Sequence, residues 1–272
     1  MIVFNIAAVA CYPAAGIGVV RRLLTDENAA ATGVRFDCLT LAPQTSFRLQ
    51  PAASSLVWLK VLQGAAKLKT HYTEGLSDRH SVFLPPAFEA TLSTGSGVSV
   101  LRAEVPDAGR LDPQFATTQP VFSVSDYTLE PVLRCKNDGR QRIALVAPLT
   151  CRTTAIKVQM VIYPPGTQSA MHRHDGAESF VYLLAGRGSA ETRDRIASLR
   201  NGDLIWFREG EWRCLKAAPD SEMRFLILYA PGVFRTAFED PGTASVWSAT
   251  GLNINGFETA HDARARRAFR NG

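Results

Sequence analysis

The chain carries an internal repeat, and this repeat constrains its fold more than any other feature of the sequence. Three pairs of segments align when the sequence is shifted by 122 residues, or by 123 for the last pair. The pairs are Val34–Pro43 with Ile156–Pro165, Leu56–Gly64 with Glu178–Gly186, and Arg79–Ala87 with Gly202–Gly210. The first pair alternates apolar and polar residues and then stops at proline, which is typical of a half-buried strand that enters a turn. The repeat therefore predicts two β-domains of one fold in tandem.

Length and composition agree with two ordinary globular domains. The 272 residues are 46% hydrophobic and 20% charged, with 20 Gly and 15 Pro, a balance that favours β-structure with many turns. We expect the first domain over residues 1–106, a linker over 107–138 and the second domain over 139–235. A tail over 236–272 is expected to include a short helix at Phe257–Phe269.

The sequence disfavours several classes of partner. Met1–Val20 is apolar but contains no Lys or Arg and is interrupted by Pro13, so it is expected to form strands and turns rather than a signal peptide or membrane span. Five scattered cysteines without a C-x-x-C pair predict reduced thiols in a cytoplasmic protein. The net charge of +5 includes a C-terminal arginine cluster from Arg264 to Arg270, with no basic stripe interleaved with aromatics. We expect neither nucleic acid nor a membrane as a partner.

One segment of the second repeat carries metal-ligand chemistry. His172 and His174 are two residues apart, so on an extended backbone both imidazoles project to the same side. Glu178 follows shortly afterwards and offers a carboxylate. Two imidazoles and one carboxylate suit Fe(II), Mn(II), Zn(II) or Ni(II), and open coordination positions suit catalysis. The sequence therefore predicts a metal site formed by these three residues.

The first repeat lacks the predicted ligands. The shift of 122 residues places Gln50, Ala52 and Leu56 at the positions of the two histidines and the glutamate. Because none of the three ligands is retained, we expect the first domain to have a structural role.

The segment from Gly166 to Gly186 resembles the first motif of the cupin superfamily. It has, in order, a glycine, five residues, His-x-His, a glutamate and a closing glycine. Together with the repeat, this resemblance implies a bicupin, an all-β protein of two tandem double-stranded β-helix (jelly-roll) barrels, here with a short C-terminal helix. Because cupins commonly pair through sheet edges, it also implies a homodimer.

The cupin motifs are altered at two ligand positions. The position of a fourth metal-binding histidine, in the second motif, is occupied by Arg213, whose guanidinium stays protonated and cannot bind a cation. The family's glutamate, counted back from Gly186, falls on Ser179 rather than Glu178, and adjacent residues of a regular strand face opposite ways. Either a β-bulge near Glu178 restores the ligand, or Glu178 lies outside the ligand shell and water fills the third position.

Part of the second motif resembles that of the ureidoglycine aminohydrolases, which are manganese bicupins. The similar segment is Gly202–Arg208, which contains Trp206. These enzymes also lack a histidine at the fourth position and carry their metal in the C-terminal barrel. Their first motif, however, begins with Glu where this chain has His172.

The predicted site is compatible with three classes of function. The favoured one is an Fe(II) oxygenase that uses the two-histidine, one-glutamate site, with Arg213 orienting the carboxylate of a small substrate. Tyr182 shares the strand face of Glu178, so it is the best further candidate for a catalytic side chain. The alternatives are a Mn(II)- or Zn(II)-dependent aminohydrolase, isomerase or lyase, and a non-enzymatic small-molecule binder. In a further alternative, tight metal binding is lost, Arg213 pairs with Glu178 and a small molecule occupies the barrel.

Overall fold

The structure is a computed structural model that describes residues 1–14, 16–25 and 30–259, and it is all-β as predicted. The earlier strands are β1 (Ile2–Asn5), β2 (Cys11–Ala14), β3 (Gly18–Leu24), β4 (Arg35–Leu41), β5 (Thr45–Leu49), β6 (Leu56–Gly64), β7 (Ala66–Lys69), β8 (Thr73–Leu76), β9 (His80–Leu84), β10 (Ala90–Thr94), β11 (Val98–Val105) and β12 (Ser123–Asp126). The later strands are β13 (Val132–Cys135), β14 (Gln141–Val146), β15 (Lys157–Tyr163), β16 (His172–Asp175), β17 (Glu178–Ala185), β18 (Arg187–Glu191), β19 (Ile196–Arg200), β20 (Asp203–Phe207), β21 (Cys214–Ala217), β22 (Met223–Ala230), β23 (Arg235–Phe238) and β24 (Trp247–Ala249). The helices are α1 (Ala108–Leu111) and α2 (Pro148–Cys151).

The strands form two barrels, each built on one large antiparallel sheet. In the first barrel, a sheet in the order β12-β9-β6-β11-β4-β3-β2 packs on a smaller sheet in the order β5-β10-β7-β8. In the second, a sheet in the order β1-β20-β17-β22-β15-β14-β13-β24 is accompanied by β19-β18-β21 and by the pair β16-β23. This is the predicted pair of jelly-roll barrels.

The predicted repeat coincides with equivalent strands of the two barrels. β4 and β15 begin 122 residues apart, as do β6 and β17, whereas β9 and β20 begin 123 residues apart. The three aligned pairs of segments are thus the central strands of the two large sheets.

A shared apolar layer lies between the two large sheets. Trp58 on β6 and Phe36 on β4 pack there with Phe180 on β17 and Met160 on β15, and the rings of Phe36 and Phe180 are 5.1 Å apart. Each barrel also has an apolar interior of its own. The central strands are therefore buried on both faces, one against the other barrel and one inside their own.

The predicted domain boundaries need correction, because strands cross them. β1 (Ile2–Asn5) pairs with β20 and extends the sheet of the second barrel, whereas β2 and β3 belong to the first. The predicted linker over 107–138 contributes β12 to the first sheet and β13 to the second. The tail adds β24 to the edge of the second sheet. The predicted helix Phe257–Phe269 is not helical over residues 257–259, and its remainder lies outside the described residues.

Other expectations agree with the structure. Met1–Val20 forms β1, β2 and the start of β3, and the five cysteines are free thiols. Over the residues that the structure describes, no helix is long and apolar enough to span a membrane. The homodimer and the cytoplasmic location stay predictions.

Candidate functional site

The second barrel contains a cavity of about 510 Å³, a size typical of small-molecule sites. None of its lining side chains within the described ranges is a carboxylate, whereas four are arginine or lysine. The four are Arg140, Arg142, Lys157 and Arg213, and two histidines, His172 and His174, line the cavity as well. The electrostatics of this cavity therefore favour a negatively charged ligand.

Polar and apolar residues alternate along much of strand β15, and its polar side chains line the cavity. Lys157, Gln159 and Tyr163 line the cavity, whereas Val158 and Met160 lie in the layer between the barrels. The apolar face of this strand packs on the other barrel, so its polar face lines the site instead of facing solvent.

The two predicted histidine ligands lie side by side in the cavity wall. Strand β16, which carries both, pairs with β23 and places His172 opposite Phe238 and His174 opposite Thr236. Both rings line the cavity, with centroids 5.1 Å apart. The structure thus brings these two residues together.

Arg213 lies beside them as a buried cation. Its side chain is only 2% exposed, its guanidinium lies 4.9 Å from the ring of Phe207, and Nη2 contacts Nδ1 of His174. Nη1 is buried and has no hydrogen-bond partner among the residues that the structure describes. Burial lowers the pKa of Arg213 to about 10, so the group is still charged at neutral pH. An uncompensated buried charge of this kind is costly unless a ligand pairs with it.

The hydrogen bonds of the two histidines require opposite tautomers. A guanidinium can only donate, so Nδ1 of His174 accepts from Arg213 and the neutral ring carries its proton on Nε2. His172 Nδ1 donates to the carbonyl of Ala170 at 2.8 Å, which leaves its Nε2 as an acceptor. Burial, followed by the charge of Arg213, lowers the pKa of His172 to about 4 and that of His174 further below its usual range. Both rings are therefore neutral at neutral pH.

Glu178 is not beside the histidines, which corrects its assignment as the third metal ligand. Its Oε2 accepts hydrogen bonds from the backbone N–H of Thr32 at 2.9 Å and from the Thr32 hydroxyl at 2.6 Å. Its Oε1 accepts from Nε1 of Trp206 at 3.0 Å and from the N–H of Ala31 at 3.2 Å. The carboxylate therefore ties the two barrels together. It does not pair with Arg213, so that alternative is wrong as well.

The register of β17 explains why Glu178 does not face the two histidines. The strand pairs regularly with β22 from Glu178 to Leu183, and the irregularity lies between Leu183 and Ala185. No bulge therefore turns Glu178 inward within this described strand, and Ser179 has the inward parity instead. Ser179 lies opposite Tyr229, its side chain is fully buried, and its hydroxyl has no hydrogen-bond partner within the described ranges. The position of the family's glutamate is thus occupied by a serine.

Tyr182, the second predicted catalytic residue, also lies outside the cavity. It shares the face of Glu178, as its parity predicted, but this face packs against the first barrel. Burial raises the pKa of its hydroxyl. The expected catalytic role is therefore corrected to a role in the layer between the barrels.

The donor set does not fit a divalent metal ion. Across the described ranges, no group of three or more His, Cys, Asp or Glu side chains is arranged to hold a metal. His174 uses Nδ1 to accept from Arg213, and its Nε2 carries a proton, so this ring offers no lone pair in the present tautomer. The surrounding guanidiniums and ammonium group also repel a cation.

Sequence reasoning missed three basic residues of the cavity, and two of them, Arg142 and Lys157, form a second basic group. Arg142 stacks on Trp247, with its guanidinium carbon 4.2 Å from the ring centroid. Lys157 lies 5.6 Å from the ring of Phe234, and burial, followed by the charge of Arg142, lowers its pKa. Arg140 differs, because it is bonded to Asp138 at 2.7 Å. The available signal was the pair Arg140 and Arg142, two residues apart at the start of β14.

Comparison with known proteins supports the same fold. Residues 159–229 match the family model of the cupin domain. A search of curated protein sequences finds no match.

Among solved structures, the chain is similar to oxalate decarboxylases. A Bacillus subtilis structure from a study of Mn(II) centres has 11% identity and a TM-score of 0.66, covering 88% of this chain and 79% of that chain. The formate complex of the Lactobacillus farciminis enzyme has 11% identity and a TM-score of 0.66, covering 88% of each chain. The finer resemblance to ureidoglycine aminohydrolases stays a prediction. The second barrel thus matches the cupin domain over residues 159–229, and the chain as a whole has the two-barrel fold of these oxalate decarboxylase structures.

Proposed function

We propose that the cavity of the second barrel binds a small carboxylate-bearing molecule, with Arg213 as its anchor. The observation that carries this proposal is the buried guanidinium, which forms no close ion pair with a carboxylate among the described residues and keeps Nη1 without a hydrogen-bond partner there. A carboxylate would satisfy this group with charge-assisted hydrogen bonds. The sequence likewise predicts that Arg213 orients the carboxylate of a small substrate.

The two imidazoles would give the bound molecule one donor and one acceptor. The N–H at Nε2 of His174 can donate to a carboxylate oxygen, whereas Nε2 of His172 can accept from a hydroxyl. An enzyme at this site would use these neutral rings for proton transfer. The similarity to oxalate decarboxylases supports an enzyme with a small carboxylate substrate.

The second candidate is a metal-dependent enzyme. Two observations favour it: the Mn(II) centres of a similar structure and the free acceptor Nε2 of His172 beside His174. They favour Mn(II) and non-redox chemistry over the Fe(II) oxygenase that the sequence suggested. Such a site would require Arg213 to release Nδ1 of His174.

Thermal unfolding with simple carboxylates tests the proposal. Benzoate, adipate and terephthalate would be titrated into chelator-free protein, and we expect at least one to raise the melting temperature in a dose-dependent way. Arg213→Gln should remove the shift, whereas the matched control Arg208→Gln, which changes an exposed arginine outside the cavity, should retain it. No shift with any of the three would overturn the proposal. One bound metal per chain, lost in His172→Ala, would favour the second candidate.

A further inference from the structure

The cavity contains two basic groups that form no ion pair with a carboxylate in the described part of the chain. The first is Arg213, together with the N–H of His174. The second is Arg142 and Lys157, on the adjacent strands β14 and β15. No carboxylate among the described residues forms an ion pair with any of these three cations, and Nε of Arg142 is buried without a partner.

The sheet topology keeps the two groups apart. Arg213 packs over Phe207 on β20, near one edge of the eight-stranded sheet. Arg142 stacks on Trp247 of β24, which forms the opposite edge. Neighbouring strands of a sheet are about 4.8 Å apart. In the pairing register, Phe207, Ser179, Tyr229 and Lys157 are cross-strand neighbours in that order, so Tyr229 lies between the position of Arg213 and that of Lys157.

Two aromatic rings lie along the cavity wall between the two basic groups. The centroids of Tyr229 and Phe234 are 4.4 Å apart, and the ring of His174 is within 5.0 Å of both. On the side of the second basic group, the ammonium nitrogen of Lys157 lies within 5.9 Å of both ring centroids. A ligand that reaches from one basic group to the other would therefore pass along these two rings.

We propose that the ligand is a dicarboxylate with an apolar or aromatic body, held by Arg213 at one end and by Arg142 and Lys157 at the other. This inference rests on the proposed function, because it assigns the second end of the same ligand. A monocarboxylate would leave at least one basic group uncompensated in a half-buried cavity, which is unfavourable. A body that stacks on Tyr229 and Phe234 gains aromatic contact as well.

Matched ligand pairs test the inference by calorimetric titration. Terephthalate and 4-methylbenzoate share one ring and differ in the second carboxylate, and adipate and hexanoate form an aliphatic pair. We expect the wild-type protein to bind at least one dicarboxylate about tenfold or more tightly than its monocarboxylate partner, because a charge-assisted hydrogen bond contributes that much. Arg142→Gln and Lys157→Gln should reduce this ratio towards one.

A control variant and a phosphate probe complete the test. Lys216→Gln changes an exposed lysine on β21 outside the cavity, and it should keep the wild-type ratio. Equal affinity for both members of each pair would overturn the dicarboxylate inference while leaving the proposed function standing. Absence of binding by all four acids would overturn both. Phenyl phosphate binding that exceeds terephthalate binding and is insensitive to Arg142→Gln would also overturn the inference, because it would place both charges at one end.

Discussion

Arg213 donates a hydrogen bond to Nδ1 of His174 at the place where the cupin motif positions a fourth metal-binding histidine. This contact has two consequences for the chemistry of the cavity. It puts a permanent positive charge beside the two histidines, and it fixes the proton of His174 on Nε2. The pair therefore presents donors to the cavity where a metal site would present lone pairs.

The first prediction is that a metal site can be rebuilt at the two altered positions. Ser179 faces inward opposite Tyr229, whose ring is 5.0 Å from His174. The double variant Ser179→Glu with Arg213→His supplies a carboxylate and an imidazole and removes the guanidinium charge. We expect it to retain about one Mn(II) or Zn(II) per chain after dialysis, since four N and O ligands then converge. Elemental analysis by mass spectrometry measures this.

The single variant Arg213→His is the control for that experiment, and it should retain less metal because the carboxylate is missing. Equal metal retention by the wild-type protein and the double variant would contradict the assignment of Ser179 and Arg213 as the altered ligand positions.

The second prediction concerns Glu178 and the attachment of the two barrels. Glu178→Gln turns an amide N–H₂ towards buried donors, including those of Thr32 and Trp206. Leaving buried donors unsatisfied costs about 1–3 kcal/mol each, so we expect a loss of about 3 kcal/mol in unfolding free energy. Urea unfolding measures the loss. Glu239→Gln, which breaks an exposed ion pair with Arg193, should cost less than about 1 kcal/mol. Similar losses for both variants would contradict this role.

The third prediction is a pH dependence that originates in the first barrel. Lys60 is 1% exposed and donates to the carbonyl of Val61 at 2.9 Å. Burial lowers its pKa from 10.5 to about 8. Between these two values the unfolded chain holds the proton and the folded chain has lost it, so stability rises with pH by at most about 1.4 kcal/mol per unit.

The check compares the wild-type protein with Lys60→Met between pH 7.5 and 9.5, roughly the window below the tyrosine titrations. The wild-type melting temperature should rise relative to that of Lys60→Met as the pH increases. Parallel profiles of the two proteins would show that Lys60 keeps its proton throughout.

The fourth prediction separates Tyr182 from the cavity. Because Tyr182 lies in the layer between the barrels, Tyr182→Phe should leave carboxylate affinity within about twofold of the wild-type value, as expected for a change outside the site. Tyr229→Phe, at the cavity wall, is the comparison. A loss of ligand affinity in Tyr182→Phe equal to that in Arg213→Gln would contradict the placement.

The sequence predicted the fold from its repeat, because the alternation and turn signals of β4 and β15 survive in both halves. It could not predict which face of β15 is inward. Alternation reveals two faces, and only the packing of Val158 against the first barrel decides that Lys157 lines the cavity. The contact of Arg142 with Trp247 joins residues far apart in the chain, so local patterns carried no signal for it.

The register of β17 shows a second limit of what the sequence can predict. Counting from Gly186 already placed Ser179 at the ligand position, and a bulge near Glu178 was the only way to retain the glutamate. The irregularity occurs instead between Leu183 and Ala185. A one-residue shift exchanges the two faces of a strand. Because the pairing of β17 is regular at Glu178, its carboxylate lies at the contact between the barrels and not in the predicted metal site.

The central claim is that the second barrel presents an anion site at the position of the cupin metal site. Paired calorimetric titrations of chelator-treated protein, one with terephthalate and one with Mn(II), test it most directly. We predict saturable binding of terephthalate at about one per chain, abolished in Arg213→Gln, and no saturable binding of Mn(II). Saturable Mn(II) binding that His172→Ala abolishes, together with terephthalate binding only in the presence of Mn(II), would contradict the claim.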